Sequence, residues 1–572
     1  MAPLTTLDPI LLPTPRQLTR REGFCPTTDP QVARDSSIAA QGYHLALRPD
    51  GIRISHLDAA GLRNARATLA QLQTKYGAQL PCLEIDDAPA FAVRGVMLDV
   101  SRNRIPTMPE LLKLIDQLAS WKINHLQLYV EHTFAYSQHP LAWQGWDPLT
   151  HDEVRQLVTH AAGLGVEIAA NQNCLGHLEG WFEHPQYAAL AEMAPGQPWK
   201  FGSGTKTGPF SLCPSDPTSL PLITGLLDEL LPLFPAHAAN IGCDESFDLG
   251  QGRSHALVAE RGKAAVYMDW VQQVCAVVRR HGKRPLFWAD IALEHPEALD
   301  QLPEDLVSLC WGYEPNSNFS RWLEQIRSRG REAWVCPGTA CWRTWTGRTM
   351  ERRGNLLAAA EQGIASGASG YLATAWGDLG HRQPWPVTLH ALAEAAHRAW
   401  SGAAHFDARA SSLHAFTDRS LETGPWIDAF GDVDLSLRRT PEKGGGVLRN
   451  ASALFTDFHR PWDELTRGTR GTGADYAACA GTLDGLLRSM PSNDPLVAEE
   501  LSLGGHWAQL AATIGFTRRT TPNDTTTRRM FADMVTAFTQ EHRRLWLKRA
   551  RPGGLERSCA QYATVAKNLI PT

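Results

Sequence analysis

The middle of the chain alternates short apolar runs with longer stretches in which apolar residues recur every three or four positions. Runs of three to six residues predict strands, and the three-to-four spacing predicts amphipathic helices. The predicted strands are 95–100, 125–130, 166–170, 240–242, 285–288, 306–311, 333–336 and 370–374. Helices are predicted between them at 110–120, 152–164, 220–231, 267–281 and 356–366. Eight strands alternating with helices predict an α/β fold, the (β/α)8 or TIM barrel.

Different patterns flank this barrel. Segments 42–47 and 51–55 alternate around Pro49-Asp50-Gly51, which predicts a β-hairpin, and helical spacing follows at 61–72. After residue 400, long helical patterns occur without evident strands, at 474–490, 496–514 and 525–549, the last with Asp524 as its predicted cap. We therefore predict a small α+β domain at 1–90, the barrel at 91–400 and a helical region at 401–572.

Composition narrows the class of protein. The 572 residues carry 55 Lys and Arg against 60 Asp and Glu, so neither a nucleic-acid partner nor an acidic tail is indicated. No apolar run reaches the roughly 18 residues of a membrane span, and residues 1–8 lack the features of a secretory signal. Eleven scattered cysteines without a Cys-x-x-Cys pair predict reduced thiols, which are typical of a cytoplasmic protein.

Polar and aromatic residues follow the predicted strands. Because the strands of a parallel barrel end on one rim, these side chains are expected to converge there. Glycosidic bond cleavage needs a proton donor, negative charge near the forming oxocarbenium ion and flat walls for a sugar ring, which carboxylates and tryptophans supply. The candidate site residues are Arg102, Glu131, His132, His177, Asp244, Glu245, Trp288, Asp290, Trp311, Tyr313, Trp342, Trp376 and Asp378.

The adjacent carboxylates Asp244 and Glu245 are the sharpest candidates. Neighbours in a regular strand point to opposite sides, but a bend at the strand end allows both to reach a pocket. Two close carboxylates push their pKa values apart, which leaves one proton donor and one anion. The alternative is that Asp244 caps a helix and Glu245 is solvated. Arg102 has the alternative of a salt bridge with Asp99, and His177 that of a structural histidine.

Five segments carry a resemblance to a known family: RGVMLDVSR at 94–102, KINHL at 122–126, EHTFAY at 131–136, GHLE at 176–179 and GCDE at 242–245. On these residues, and on a preceding segment that is similar to the family's small α+β domain, the chain resembles the glycoside hydrolase family 20 β-N-acetylhexosaminidases. It is most similar to the branch that includes hexosaminidase D. The resemblance extends over about residues 40–380.

The resemblance implies a retaining, substrate-assisted mechanism in which the substrate's 2-acetamido oxygen is the nucleophile. Glu245 would protonate the glycosidic oxygen and then activate water, while Asp244 would orient the acetamido N–H. His177 would support the acid. Arg102 and Asp378 would bind ring hydroxyls.

Trp288, Trp311 and Trp376 would wall the sugar pocket in the same family scheme. The implied partner is an oligosaccharide or glycoconjugate, and neither a metal nor an organic cofactor is implied.

The chain departs from the family pattern at three places. Cys243 replaces the second glycine before the Asp-Glu pair, and Asn240 replaces a histidine. Segment 337–342 has no tyrosine to bind the acetamido oxygen, so Tyr313 is a candidate substitute.

Three alternatives stay open from the sequence. The barrel could be a retaining β-glycosidase for a sugar without the N-acetyl group, with Asp244 itself as nucleophile. It could bind glycans without cleaving them, although intact Asp244 and Glu245 argue against this. A barrel enzyme for phosphate-bearing substrates is disfavoured because no glycine-rich phosphate loop follows strands seven and eight. The helical C-terminal region is predicted to pack on the barrel or to form a homodimer.

Overall fold

A computed structural model describes residues 8–202, 204–438, 450–464, 471–491 and 494–570. Residues 1–7, most of the segment in which no secretory signal is predicted, lie outside these ranges. Among the described residues, no helix combines the length and the apolar character that a membrane crossing requires.

A five-stranded sheet covered by one helix forms the N-terminal part, in the order β1-β5-β3-β4-β2. Strands β3 and β4 are the predicted hairpin, paired antiparallel from Tyr43–His56 to Arg48–Gly51. Sequence analysis missed β1 because Cys25 is its only fully buried residue, so it has no alternating pattern. The strands are β1 (Gln17–Pro26), β2 (Gln31–Arg34), β3 (Tyr43–Arg48), β4 (Gly51–His56) and β5 (Gln79–Asp87), and the helix is α1 (Ala59–Tyr76).

The predicted (β/α)8 barrel is confirmed. Eight parallel strands close in the order β6-β7-β8-β11-β12-β13-β14-β15, with a small antiparallel hairpin, β9 and β10, inserted after the third barrel strand. The barrel strands are β6 (Val93–Asp99), β7 (His125–Tyr129), β8 (Glu167–Asn171), β11 (Ala238–Asn240), β12 (Arg284–Trp288), β13 (Val307–Trp311), β14 (Ala333–Cys336) and β15 (Gly370–Ala375). The hairpin strands are β9 (Pro198–Phe201) and β10 (Gly204–Thr207).

The predicted fourth barrel strand, 240–242, is displaced by two residues. Strand β11 ends at Asn240, because Gly242 has φ +66° and so cannot continue an extended conformation. This early end turns the following residues towards the barrel opening.

Helices surround the barrel in the predicted alternation. The larger ones begin up to seven residues before their predicted positions. They are α2 (Met108–Ser120), α3 (Pro140–Trp143), α4 (His151–Leu164), α5 (Glu179–Phe182), α6 (Pro185–Ala188), α7 (Ser219–Leu230), α8 (His255–Arg261), α9 (Lys263–Arg280), α10 (Asp290–Glu294), α11 (Pro296–Leu299), α12 (Phe319–Arg327), α13 (Thr349–Ala365) and α14 (Trp385–Ser401).

The described part of the C-terminal region is helical. Asp524 caps α21 as predicted, accepting a hydrogen bond from the Thr527 backbone N–H at 3.0 Å. The helices are α15 (Ala408–Phe416), α16 (Thr423–Phe430), α17 (Leu435–Arg438), α18 (Ala453–Phe458), α19 (Gly473–Arg488), α20 (Pro495–Thr520), α21 (Thr525–Arg549) and α22 (Leu555–Leu569).

Buried polar contacts fasten the N-terminal sheet to the barrel. Asp87, at the end of β5, accepts hydrogen bonds from Tyr43 at 2.8 Å and from the Trp400 indole at 3.0 Å. It also forms a fully buried ion pair with Lys122 at 3.0 Å. Removing one partner of such a pair leaves an uncompensated charge and typically costs about 3–5 kcal/mol.

The C-terminal helices pack on the barrel, partly through the basic residues of α21. Arg549 forms ion pairs with Glu110 and Glu500 at 2.9 Å, and Arg551 pairs with Glu153 at 2.7 Å. Each of these two arginines thus reaches a carboxylate on a barrel helix, Glu110 of α2 or Glu153 of α4.

All eleven cysteines lie within the described residues. Each is buried and none forms a disulfide. This agrees with the predicted reduced thiols.

Candidate active site

A cavity of about 150 Å³ opens at the carboxyl ends of the barrel strands. Its walls come from the loops after six strands and from one residue of the C-terminal region. Nine of the ten lining residues are sequence-predicted candidates. The lining residues are Arg102, His177, Asp244, Glu245, Trp311, Tyr313, Trp342, Trp376, Asp378 and Asn450.

An unusual turn brings both carboxylates into this cavity. Gly242, Cys243 and Glu245 all have left-handed backbone angles, with φ of +66°, +71° and +50°. A side chain at Gly242 would place its Cβ 1.8 Å from Asn173 Oδ1, so only glycine fits there. The Tyr267 hydroxyl donates to the Cys243 carbonyl at 2.9 Å and helps to fix the turn. The chain thus reverses direction between neighbouring residues, as the bend proposed from sequence requires.

His177 lies between the two carboxylates. Its Nε2 is 3.3 Å from Asp244 Oδ2 and 3.4 Å from Glu245 Oε2, although neither approach has hydrogen-bond geometry. Burial by itself lowers the pKa of His177, but the charges of Asp244 and Glu245 outweigh it and raise this pKa well above 6.5. At neutral pH the ring is therefore an imidazolium.

The two carboxylates differ in exposure. The Asp244 side chain is 8% exposed and the Glu245 side chain 27%. Glu245 is therefore the one nearer the opening, where a leaving group would depart.

Arg102 is held rigidly at the opposite side of His177. Its guanidinium pairs with Asp99 at 3.0 Å and with Glu131 at 3.1 Å, and it lies over the rings of Tyr129 and Trp376 at 4.8 and 4.9 Å. Arg102 forms the salt bridge with Asp99 that was the alternative from sequence, and it also lines the cavity, while its binding of sugar hydroxyls stays a prediction. Such a fixed planar donor suits a pair of sugar hydroxyls.

Aromatic rings form the remaining wall. Trp311 and Tyr313 stack with centroids 5.1 Å apart, and Trp342 meets Tyr313 edge-on at 5.2 Å. The Trp376 indole donates to the Tyr313 hydroxyl oxygen at 2.8 Å. Since indole is only a donor, the Tyr313 proton is left to donate elsewhere. Tyr313, whose position the sequence could not give, therefore offers a hydroxyl donor in the cavity.

Two predicted site residues support the cavity from behind. Glu131 accepts from the Tyr129 hydroxyl at 2.9 Å as well as pairing with Arg102, and burial raises its pKa to about 7. Asp290 Oδ2 accepts a hydrogen bond from the Glu245 backbone N–H at 2.9 Å. Burial, reinforced by the charge of Asp244, raises the pKa of Asp290 well above its usual range.

Two further predicted residues lie outside the cavity wall. His132 packs edge-on against Trp146 at 4.3 Å, and burial lowers its pKa to about 4. Trp288 is completely buried below Trp376, at a centroid distance of 6.1 Å. The polarity of a residue after a strand does not fix the direction of its side chain, which is why neither position could be read from sequence.

Asn450 was missed because it lies far along the chain from the other lining residues. The neighbouring Ser452 donates its backbone N–H to the Arg343 carbonyl at 3.1 Å, which ties this segment to the loop after β14. No sequence spacing signals such a contact. The supporting residue Asn173 was also missed in this role, although its amide donates to the Tyr129 hydroxyl at 2.6 Å.

Two family models together match the chain between residues 16 and 342. The model of the glycosyl hydrolase family 20 catalytic domain matches residues 91–342, and that of the family's domain 2 matches residues 16–88. Seven of the ten cavity residues lie within the range of the catalytic model: Arg102, His177, Asp244, Glu245, Trp311, Tyr313 and Trp342. Trp376, Asp378 and Asn450 lie beyond it.

Curated relatives have modest identity. A β-hexosaminidase of Vibrio furnissii is 27% identical over 314 residues, which cover 47% of this chain and 48% of the relative. Hexosaminidase D of Homo sapiens is 25% identical over 233 residues, covering 39% and 45% respectively. The chain thus spans about half the length of the curated relatives that it matches.

Solved structures share the fold. An exo-β-N-acetylglucosaminidase of family 20 from Vibrio harveyi has a TM-score of 0.57 at 17% identity, covering 73% of this chain and 78% of the other. A Flavobacterium johnsoniae chitobiase has a TM-score of 0.57 at 17% identity, covering 92% and 96%.

Proposed function

Because the chain belongs to glycoside hydrolase family 20, we propose that it is a retaining exo-β-N-acetylhexosaminidase. It would remove a terminal GlcNAc or GalNAc from an oligosaccharide or glycoconjugate by substrate-assisted catalysis. The observation that carries the proposal is the turn at Gly242–Glu245, which turns two adjacent carboxylates into one small cavity beside His177.

In the first step, the acetamido carbonyl oxygen of the substrate attacks the anomeric carbon as the glycosidic C–O bond breaks. Glu245 gives its proton to the leaving oxygen, and an oxazolinium forms. In the second step, water attacks the anomeric carbon from the vacated side and gives a proton to Glu245, and the acetamido C–O bond breaks. The configuration is retained and Glu245 regains its proton.

In this scheme Asp244 orients the 2-acetamido group of the substrate. Its buried carboxyl group has Oδ2 3.3 Å from His177 Nε2, and it is proposed to accept a hydrogen bond from the acetamido N–H. Its charge also stabilises the positive oxazolinium. Tyr313, with a proton free to donate, is the proposed partner of the acetamido carbonyl in place of the tyrosine absent from 337–342.

The size of the cavity supports an exo-acting enzyme. About 150 Å³ enclosed by rings and charged groups suits a single sugar unit at a chain end. Arg102 and Asp378 lie together at one side of it and are proposed to bind the ring hydroxyls.

The roles of Glu245 and Asp244 can be separated by the leaving group. We expect Glu245→Gln to lower kcat/KM about 10²–10⁴-fold on a disaccharide but much less on a nitrophenyl glycoside, which needs little acid assistance. Asp244→Asn should lower both to a similar extent. Glu324→Gln, an exposed substitution on α12, is the matched control and should change neither. Equal losses for both site variants on both substrates would contradict the assignment.

A further inference from the structure

A second, smaller cavity lies between the barrel rim and the long helices α20 and α21. Its volume is about 50 Å³. The barrel contributes Arg104, two residues after Arg102, and Arg382, four residues after Asp378. The cavity is thus separate from the candidate active site but touches two of the loops that build it.

Two arginines that line this cavity donate hydrogen bonds only to neutral groups. Arg104 Nη1 donates to the Gln383 carbonyl at 3.2 Å, and its buried Nη2 has no hydrogen-bond acceptor in the described structure. Arg382 is 4% exposed, and its Nε donates to the Leu379 carbonyl at 3.1 Å while Nη2 bonds to the Gln561 amide. Its Nη1 is buried and likewise without an acceptor among the described residues.

The carboxylates that line the cavity are already engaged. Both oxygens of Glu500 accept from Arg549 Nε at 2.9 Å, and Glu110 accepts from Arg549 Nη1 at 2.9 Å. Burial raises the pKa of Glu500 to about 7, so this group carries less than a full negative charge at neutral pH.

His542 adds no positive charge, because burial and the two arginines lower its pKa well below 6.5. The cavity as a whole is left with a net positive charge. Buried charges in proteins are normally compensated, since an unpaired one is costly.

We propose that this cavity binds a small inorganic monovalent anion of halide size between Arg104 Nη2 and Arg382 Nη1. Guanidinium groups with unused donors are the groups that an anion requires, and Trp385, Leu503, Trp507 and Leu545 line the rest of the cavity. A volume of about 50 Å³ is room for a few water molecules, which admits chloride or bromide and is too small for a large organic anion.

The site joins the barrel rim to the C-terminal helices. Gln383, beside the cavity, donates through its amide to the Trp376 carbonyl at 3.5 Å, and Arg104 is two residues from Arg102. An anion that holds both arginines therefore fixes the loops that carry Arg102 and Trp376. Its binding is expected to stabilise the folded protein and to raise kcat/KM.

The direct test is anomalous diffraction from crystals of the full chain grown in sodium bromide. We expect a bromine peak between Arg104 and Arg382. A well-measured anomalous map without a peak in this cavity would overturn the proposal, because a cavity filled by water alone gives none.

The solution test compares chloride with gluconate at equal ionic strength. Ligand binding to the folded state predicts a saturable rise in Tm with chloride, of about 1–3 °C at saturation, that gluconate does not produce. Arg104→Met should abolish this difference, while Arg279→Met, at an exposed arginine paired with Asp305, should retain it. Identical Tm curves in the two salts for the unsubstituted protein would refute the site without any variant being needed.

Discussion

Asp290 holds the backbone of the proposed acid Glu245, and replacing it tests how that residue is positioned. Glu245 has φ +50°, and its N–H donates to Asp290 Oδ2 at 2.9 Å. Burial and the charge of Asp244 raise the pKa of Asp290 well above its usual range, which favours its neutral acid form. Asparagine matches that form and can still accept the bond. We therefore expect Asp290→Asn to retain kcat within about threefold, and Asp290→Ala to lose it.

The magnitude for Asp290→Ala follows from the turn. A left-handed conformation costs about 1–2 kcal/mol for a residue other than glycine. That strain is present in both proteins, so the substitution changes only the hydrogen bond, and a donor left without its acceptor costs about 1–3 kcal/mol. A shift of this size towards a relaxed turn corresponds to about a 5- to 160-fold loss of kcat.

The assay measures kcat and KM on a disaccharide and on a nitrophenyl glycoside. Since a displaced acid matters only when the leaving group is poor, the loss in Asp290→Ala should appear in kcat on the disaccharide, with KM nearly unchanged. Two results would refute the reasoning. A raised KM with unchanged kcat would make Asp290 a substrate-binding residue, as first expected from sequence. Equal losses in the asparagine and alanine variants would mean that an ionised carboxylate is required.

Three further outcomes are expected. Because Cys243 has φ +71°, the Cys243→Gly variant should be more stable than Cys243→Ala by about 0.5–1 kcal/mol, as measured by Tm. At the control position Cys310, in strand β13, the alanine variant should be the more stable of the two. Tyr313→Phe should lower kcat/KM on N-acetyl substrates about 3- to 10-fold, since the donor is lost and the Trp376 N–H loses its acceptor; unchanged kinetics would exclude Tyr313 from the acetamido site. Glu131, with a pKa of about 7 against 4.5 unfolded, binds more protons when folded, so stability falls as pH rises from about 4.5 to 7. In Glu131→Gln the Tm should fall less across that range, and parallel Tm–pH curves would contradict this.

The barrel could be predicted because its strands are short apolar runs that the periodicity of the sequence separates cleanly from the helices. Residues that follow the strands of a parallel barrel lie on one rim, so their position in the sequence was enough to predict that Arg102, His177, Asp244 and Glu245 lie together. The direction of a side chain depends on backbone angles, and glycine is the residue type that most often indicates a left-handed angle. Gly242 is therefore consistent with a turn, but nothing about Cys243 predicts that its backbone is left-handed as well.

Tertiary context decided the remaining positions. His132 follows a barrel strand as Glu131 does, yet it packs on Trp146, whereas Glu131 pairs with Arg102. Asn450 comes from a region whose sequence shows only helices and loops. Contacts of this kind depend on how the helical region packs against the barrel, which local patterns do not encode.

Substrate assistance is the central claim, and hydrolysis of four nitrophenyl glycosides tests it most directly: β-GlcNAc, β-GalNAc, β-Glc and β-Gal. The 2-acetamido group is the nucleophile in the proposed mechanism, so only the two N-acetyl substrates should be cleaved. An N-acetyl thiazoline, which mimics the oxazoline, should inhibit that cleavage. Comparable hydrolysis of the plain sugars would contradict the account, and would point to Asp244 acting as the nucleophile itself.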